Sequence, residues 1–507
     1  MTAVRIEREI ERKYDAAADF ALPDLTGLPG ALGEQEVQRL DATYFDTTDL
    51  RLAARGITLR RRTGGTDAGW HLKFPVGRGV KEEIRLPLGR AAKTVPKELA
   101  GLVRAYTRGR ALRPIARIET TRTLRRLLDA QGNPLAEIAD DAVTGQALDR
   151  TEPVAWHELE VELTAGEPGL LDLLDERVRA AGASPAGSGS KLLRLLDHRV
   201  PAAPAPDTAA LGPRSPAGAV ILAYLRSHRD ALLAADPLVR RDADDAVHQM
   251  RVATRRLRST LQIFGTVVDK EATRPLRAEL RWLAGELSGA RDREVMLERL
   301  QRRVDELPPH LVLGPVRERI TRHLEEGMAE ARARALSALD EKRYLELLDA
   351  LDALIDDPPL TPAAARPARV VLPSLVRRAW KRLDRELTEA VAKTVPAERD
   401  AALHEARKSA KRARYAAEAV VSAFGRPARD FARRMTALQE LLGDHQDSVV
   451  CRDTLRAIGL EAYAEGENAF TYGLLIGTEM AVAQRDEYQL PAVWKQAAKG
   501  RYHRWLG

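Results

Sequence analysis

One cysteine, Cys451, in 507 residues permits no internal disulfide and no cysteine-based zinc site. Such a chain suits a reducing compartment. Aromatic residues are scarce, at 5%, while Ala, Leu and Arg abound; this favours helix and argues against an all-β chain. No stretch reaches the about 18 uninterrupted apolar residues of a membrane span. The opening MTAVRIEREIERKYD is charged from Arg5 onward and lacks the apolar centre of a signal peptide. A cytoplasmic location with no membrane partner is therefore expected. Neither sign of charge dominates: 81 Lys+Arg stand against 74 Asp+Glu, a net +7, so the distribution of charge must carry the information. What is present is 44% hydrophobic residues and 31% charged ones. That suffices for real cores and excludes wholesale disorder. At roughly 100–200 residues per domain, the length predicts two to four domains.

The clearest division is Pro201 to Pro216, where five of sixteen residues are proline and no apolar period runs through. It reads as a semi-extended linker. Before it, short runs such as ITLRRR, WHLKFP, EEIRLPL and HELEVEL alternate in character between Gly-rich turns, as strands do. After it, apolar residues recur at three- and four-residue spacing through long Ala/Leu/Arg/Glu stretches, as in helices. Residues 1–200 hold 31 basic and 30 acidic side chains; residues 201–507 hold 50 and 44. The expected organisation is an N-terminal antiparallel β tunnel or barrel with some helix (1–200), a linker (201–216), and an all-α unit (217–507).

In the first part, charges share strand faces. Side chains alternate along a strand, so Glu7, Glu9, Glu11 and Lys13 face one way, and Glu158, Glu160 and Glu162 face one way. Three carboxylates in a row need cations, either side chains or a hard divalent ion such as Mg²⁺ or Mn²⁺. The runs between are basic: Arg60 with Arg62, His71 with Lys73, Glu83 with Arg85, and Arg117, Arg122, Arg125 and Arg126 from Pro114 to Leu128. Closed into a barrel, such strands set cations against carboxylates in an apolar-poor interior. That suits a polyanion bridged by metal. On alternation alone, a solvated and salt-bridged sheet face remains the competing reading.

The residues Glu9-Ile10-Glu11-Arg12-Lys13 fit the ExExK signature of the CYTH family, the triphosphate tunnel metalloenzymes. Tyr44-Phe45-Asp46-Thr47, Gly56 to Arg62, Trp70 to Lys73, Ala136-Glu137-Ile138, the Glu158/Glu160/Glu162 run and Ser190-Lys191 follow in the family's order. The resemblance covers about residues 3–200. It implies an eight-stranded antiparallel tunnel. Glu9 and Glu11, with Glu160 and Glu162 ahead of Glu158, would hold Mg²⁺ or Mn²⁺, and Glu9, Glu11 and Lys13 would form the catalytic signature. Arg60, Arg62, Lys73, Arg85, Arg117 and Lys191 would grip the triphosphate, with Lys13 beside them and Arg122 and Glu137 as further members.

The helical part repeats itself. Val247-His248-Gln249-Met250-Arg251 to Arg258 matches Leu403-His404-Glu405-Ala406-Arg407 to Arg414. The interval from His to a downstream Asp is 44 residues to Asp292 and 43 to Asp447. This is the mark of a duplicated unit. At 100° per residue, His248, Arg251, Arg255 and Arg258 fall on one stripe with an apolar stripe opposite, and His404, Arg407, Lys411 and Arg414 repeat the arrangement. A solvated Arg face, a nucleic-acid surface and a pooled polyanion site compete. Tyr415 is the lone nearby aromatic for stacking bases, and no second His stands near either histidine to complete a metal site.

Both segments resemble the CHAD domain, the conserved-histidine α-helical domain, over about residues 217–505. The family pairs two pseudo-symmetric helical bundles and is associated with inorganic polyphosphate. The resemblance implies ligand contact by His248, Arg251, Arg255, Arg256, Arg258, His404, Arg407, Lys408, Lys411, Arg412 and Arg414. Asp292 and Asp447 would pair with cations. Together, the readings lead to the expectation of a metal-dependent hydrolase acting on a phosphoanhydride of inorganic triphosphate or a related nucleoside triphosphate, coupled to polyphosphate binding. Polyphosphate granules would then be a place of association, and no sequence-specific nucleic acid is expected as a partner. A non-catalytic polyphosphate scaffold and an adenylate cyclase-type tunnel enzyme are the alternatives.

Overall fold

A computed structural model describes residues 5–77, 79–89, 94–201 and 211–507. Most of the expected linker, residues 202–210, lies outside the described residues. The chain divides into two compact units, residues 1–206 and 207–507.

The described residues of the first unit contain ten strands. They are β1 (Arg5–Asp15), β2 (Ala31–Leu32), β3 (Glu36–Asp46), β4 (Thr58–Thr63), β5 (Gly69–Gly77), β6 (Val80–Leu86), β7 (Arg113–Leu128), β8 (Pro134–Ala147), β9 (Val154–Leu163) and β10 (Ser184–Pro185). Eight of them pair antiparallel in the order β1-β6-β5-β4-β3-β7-β8-β9, and β9 returns to β1, which closes a barrel. The two-residue strands β2 and β10 pair with β7 and β1.

Closure removes sheet edges and inverts the usual burial. Apolar residues face outward, beneath helices. Leu59, Trp70, Leu72 and Ile84 pack under the short helices Lys97–Leu102 and Arg104–Thr107. Tyr14, Ala136, Ile138, Leu159 and Val161 pack under the helix Gly169–Ala180. The interior therefore receives the polar parity of each strand. It is not apolar-poor throughout. The helix Lys191–Leu196 sends Leu192 and Leu196 in against Ala42, Tyr44, Ala116, Ile118 and Val143, which plugs part of the barrel with hydrocarbon.

The second unit is helical and built in two halves. Its paired openings are visible at Pro216 and Pro367, which bridge antiparallel. Ala217 N donates to Arg366 O (2.9 Å) and Ala368 N to Ser215 O (2.8 Å). Each proline immediately precedes a helix, Ala217–Arg240 and Ala368–Val391. The His-bearing helices follow, Ala246–Ile263 and Pro396–Glu418. The halves then diverge. Gly289, with φ 105°, breaks the first between Arg274–Glu286 and Ala290–Asp305. The second runs unbroken through Arg426–Ala464. Among the described residues, no helix is long and apolar enough to cross a membrane.

Candidate functional site

The barrel encloses a cavity of about 240 Å³ lined by nine basic and six acidic side chains. Strand parity puts them there. Glu9, Glu11 and Lys13 come from β1, Arg60 and Arg62 from β4, Lys73 from β5, Lys81 and Arg85 from β6, and Glu160 and Glu162 from β9. Most are already paired. Lys73 Nζ donates to both oxygens of Glu9 at 2.7 and 2.6 Å, and Lys81 Nζ to Glu11 at 2.7 Å. Lys13 contacts Glu160 and lies 3.1 Å from Glu11. Arg85 pairs with Glu83 and Glu7 and comes within 3.6 Å of Glu9.

Two groups are left over. Among the described residues, Arg60 is held by the Tyr44 hydroxyl alone, 3.4 Å away, and its buried Nε has no hydrogen-bond partner. Among the described residues, no carboxylate lies within ion-pair distance of it. Glu162 sits directly opposite Glu11 in the β1–β9 register. No cation among the described residues reaches it. Burial, then Glu9, push its carboxyl up to about 7 even with Lys73 opposing; Glu11 and Glu160 add to the rise. For Glu11, burial acts upward, but Lys13, Lys81 and Lys73 outweigh it and hold the carboxyl at about 2. Burial raises Glu9 despite Lys73. Three carboxylates, Glu9, Glu11 and Glu162, thus line one wall of the cavity, and among the described residues Glu162 is the one with no cation at ion-pair distance. That is the donor set a hard divalent ion takes, so these residues fit the metal expected from the sequence.

The other expected residues fall in different places. Glu160 lines the cavity, but Lys13, Lys191 and Arg122 engage its oxygens. Glu158 lies behind it and accepts from Trp156 Nε1 at 2.6 Å. Lys191 is buried, its ammonium turned onto carboxylates rather than left free. Arg117 requires a correction: odd parity on β7 points it outward, where it pairs with Asp41 and Glu119. Arg122 and Arg126, of even parity, point in. Sequence reasoning missed Lys81 and Asp141. Lys81 shares the face of Glu83 and Arg85, and Asp141 lies two inward positions beyond Glu137, so parity could have found both. In the Tyr44–Thr47 motif, Asp46 is a structural cap. Its oxygens accept from the backbone of Thr47, Leu52 and Ala53 at 2.6, 3.0 and 2.9 Å.

The helical unit has its own cavity, of about 680 Å³, between the two His-bearing helices. Nine Arg and Lys side chains line it against Asp292 and Asp447 alone among carboxylates. Arg251 pairs with Asp292 at 2.8 Å and Arg407 lies 3.7 Å from Asp447. Arg255 donates to the Tyr415 hydroxyl at 2.9 Å. Among the described residues, neither Arg258 nor Lys411 has a carboxylate at ion-pair distance. Burial, then Arg407, Arg255 and Arg251, push the Lys411 ammonium down to about 7. His248 and His404 both line the cavity, and burial lowers both. Lys408 and Arg412 line it too. Arg256 and Arg414 do not, which corrects the expectation for them. Glu418 draws both, at 2.9 and 3.1 Å. The equivalent position in the first half is Gln262, so Arg258 keeps its place facing the cavity.

Residues 7–194 match the CYTH domain family and residues 223–456 the CHAD domain family. The chain is 40% identical to uncharacterized proteins from two strains of Mycobacterium tuberculosis, over 97% of its own length and 96% of theirs. Among solved structures, PptA from Streptomyces chartreusis is 25% identical over 55% of this chain and 100% of its own, with a TM-score of 0.47. The CHAD domain of the plant Ricinus communis is 24% identical over 57% and 94%, with a TM-score of 0.44. The chain belongs to the proteins that join a CYTH domain to a CHAD domain. CYTH domains are generally metal-dependent phosphoryl-transfer proteins that take triphosphate substrates.

Proposed function

We propose that the barrel is a metal-dependent triphosphatase, hydrolysing a phosphoanhydride of inorganic triphosphate or a related triphosphate, and that the helical unit binds inorganic polyphosphate. The observation that carries the first reading is the pair of unmatched charges in one cavity. Arg60 has no anion and Glu162 no cation among the described residues, so a metal-bound polyanion completes both. Glu9, Glu11 and Glu162 would hold Mg²⁺ or Mn²⁺. When bound, that ion neutralises phosphate oxygens and orients water. Arg60, Arg62, Lys73 and Arg85 would bind the phosphate chain and stabilise charge on the phosphoryl group in flight. Enclosure by the barrel keeps bulk water from screening them. Lys73 would exchange Glu9 for phosphate as substrate enters. A cytoplasmic location, near polyphosphate, belongs to the same proposal.

Arg60 gives the sharpest test. Arg60→Ala should lower kcat/KM for tripolyphosphate about a hundredfold, through both KM and kcat, because the charge it meets is present in ground and transition states. Arg117→Ala, on the outer face, should leave both constants within about twofold. Equal losses in steady-state phosphate release for the two variants would remove Arg60 from the site.

A further inference from the structure

In the helical unit, three helices converge on a histidine set between two carboxylates. Asp400 comes from Pro396–Glu418, His445 from Arg426–Ala464 and Glu487 from Phe470–Ala497. Each offers one donor atom, and the three atoms lie within 4.8 Å of one another. His445 is 2% exposed. Its Nε2 stands 3.4 Å from Asp400 Oδ1 and 3.4 Å from Glu487 Oε1. An imidazolium bonded to either carboxylate would close to about 2.7–2.9 Å. Both separations are longer than that, and they are equal. They match two atoms bound to one ion: at about 2.1 Å from a tetrahedral centre, ligand atoms stand roughly 3.4 Å apart.

The outer oxygens of both carboxylates are already held. Arg452 donates to Asp400 Oδ2 at 2.8 Å, and Arg399 to Glu487 Oε2 at 2.7 Å. These bonds leave Oδ1 and Oε1 for the ring nitrogen, as outer partners orient the carboxylates of metal sites. They also offset much of the negative charge. A hard ion such as Mg²⁺, held by charge on oxygen, gains little there; Zn²⁺, which also bonds imidazole nitrogen, gains more. Asp400 further lines a cavity of about 650 Å³, which gives a fourth ligand room to enter from solvent. The duplicated architecture does not require the histidine. His445 stands two residues before Asp447, whereas Ala290 stands two before Asp292.

We propose that Asp400, His445 and Glu487 form a Zn²⁺ site that clamps these three helices together. His445 binds through Nε2, and each carboxylate through the oxygen its arginine leaves free. The site is separate from the carboxylate wall of the barrel, which offers oxygen donors alone, and it does not depend on either activity proposed above. A buried histidine merely paired with two acids would tie the same helices together but would hold no ion.

The test counts Zn²⁺ bound by the full-length protein in equilibrium dialysis, with Mg²⁺ in large excess to occupy oxygen-only sites. Parent, His445→Gln, Asp400→Asn and Asp453→Asn are compared, each also in the Glu9→Gln/Glu11→Gln background. His445→Gln and Asp400→Asn should each bind one Zn²⁺ fewer than the parent in both backgrounds. Asp453→Asn, changed beside the same cavity but outside the cluster, should match the parent. Equal counts for the parent and His445→Gln overturn the proposal. Should His445→Gln fail to fold, the parent loaded with Co²⁺ decides. Visible absorption of a four- or five-coordinate ion with a nitrogen ligand supports the site, and the weak bands of a six-coordinate, all-oxygen ion alone overturn it.

Discussion

Glu9→Gln/Glu11→Gln should cut metal-dependent phosphate release from tripolyphosphate by roughly three orders of magnitude or more. Both side chains point inward from β1 beside Lys13; Glu11 stands opposite Glu162 and Glu9 opposite Lys81. Glutamine keeps size and polarity but not the charge a hard cation requires. The loss should fall on kcat/KM and persist at saturating Mg²⁺ or Mn²⁺. The substitution also releases Lys73 and Lys81 from their carboxylate partners, 2.6–2.7 Å away. Binding of triphosphate in chelator should therefore survive or strengthen while turnover collapses. That split between binding and turnover distinguishes loss of the metal from loss of the fold. Turnover at the parent's rate would refute the assigned metal wall.

Residues 217–507 alone should bind long-chain polyphosphate, and removing two cations from either half should weaken binding about a hundredfold. Each charge-assisted contact is worth roughly 1.5 kcal/mol or more. The cavity offers nine cations against two carboxylates, so an anion gains from both halves at once. Arg251→Ala/Arg255→Ala and Arg407→Ala/Lys411→Ala should each show the loss, and each should lower the slope of log affinity against log salt by roughly two. Duplex DNA should compete poorly. Titration calorimetry adds a second readout through Lys411. Its ammonium is pushed down to about 7 in the free protein by burial and three arginines, and a bound polyanion restores it. Above pH 7, binding should therefore take up a proton, visible as a buffer-dependent heat, and Lys411→Arg should remove that uptake. The sign for folding follows. A lysine lowered in the folded state binds more protons when unfolded, so its contribution favours folding increasingly as pH rises from about 7 toward the ordinary lysine value. Tight binding by either double variant would end the pooled-cavity reading.

Much of the fold was legible because charge is the unusual feature of this barrel. Alternating carboxylates and cations on β1, β4 and β9 fitted either a charged interior or a solvated sheet face, and the family motifs then implied eight strands around a charged tunnel. Parity read from short strands placed Glu9, Glu11, Arg60, Arg62 and Lys73 on the cavity wall. It fails on β7, a sixteen-residue strand whose four arginines do not share a face, because Arg117 and Arg122 have opposite parity. The apolar plug was hidden because Leu192 and Leu196 read as an ordinary helix face, and nothing local says that the helix enters a barrel. Partnering was the least legible part. That Lys191 would meet three carboxylates depends on Asp141, Glu158 and Glu160, which arrive from two strands.

The helical unit shows the same limit differently. The duplication was plain from His248 and His404, and so was the stripe they share with Arg251, Arg255, Arg407 and Lys411. Perfect equivalence was not. One charge difference, Glu418 in place of Gln262, draws Arg414 and Arg256 off the cavity while Arg258 and Arg412 remain. Helical geometry places both lost arginines within reach of the stripe; a carboxylate four residues beyond Arg414 settles where they point.

The central claim, that the barrel hydrolyses a phosphoanhydride with a divalent ion, is tested most directly by one side-by-side measurement. Phosphate release from tripolyphosphate, ATP and long-chain polyphosphate is followed with Mg²⁺, with Mn²⁺ and in chelator, with nucleotide products identified. The predicted result is release from tripolyphosphate that requires metal and disappears in Glu9→Gln/Glu11→Gln. Cyclic AMP from ATP in place of phosphate, or no turnover of any triphosphate by the folded protein, would contradict it.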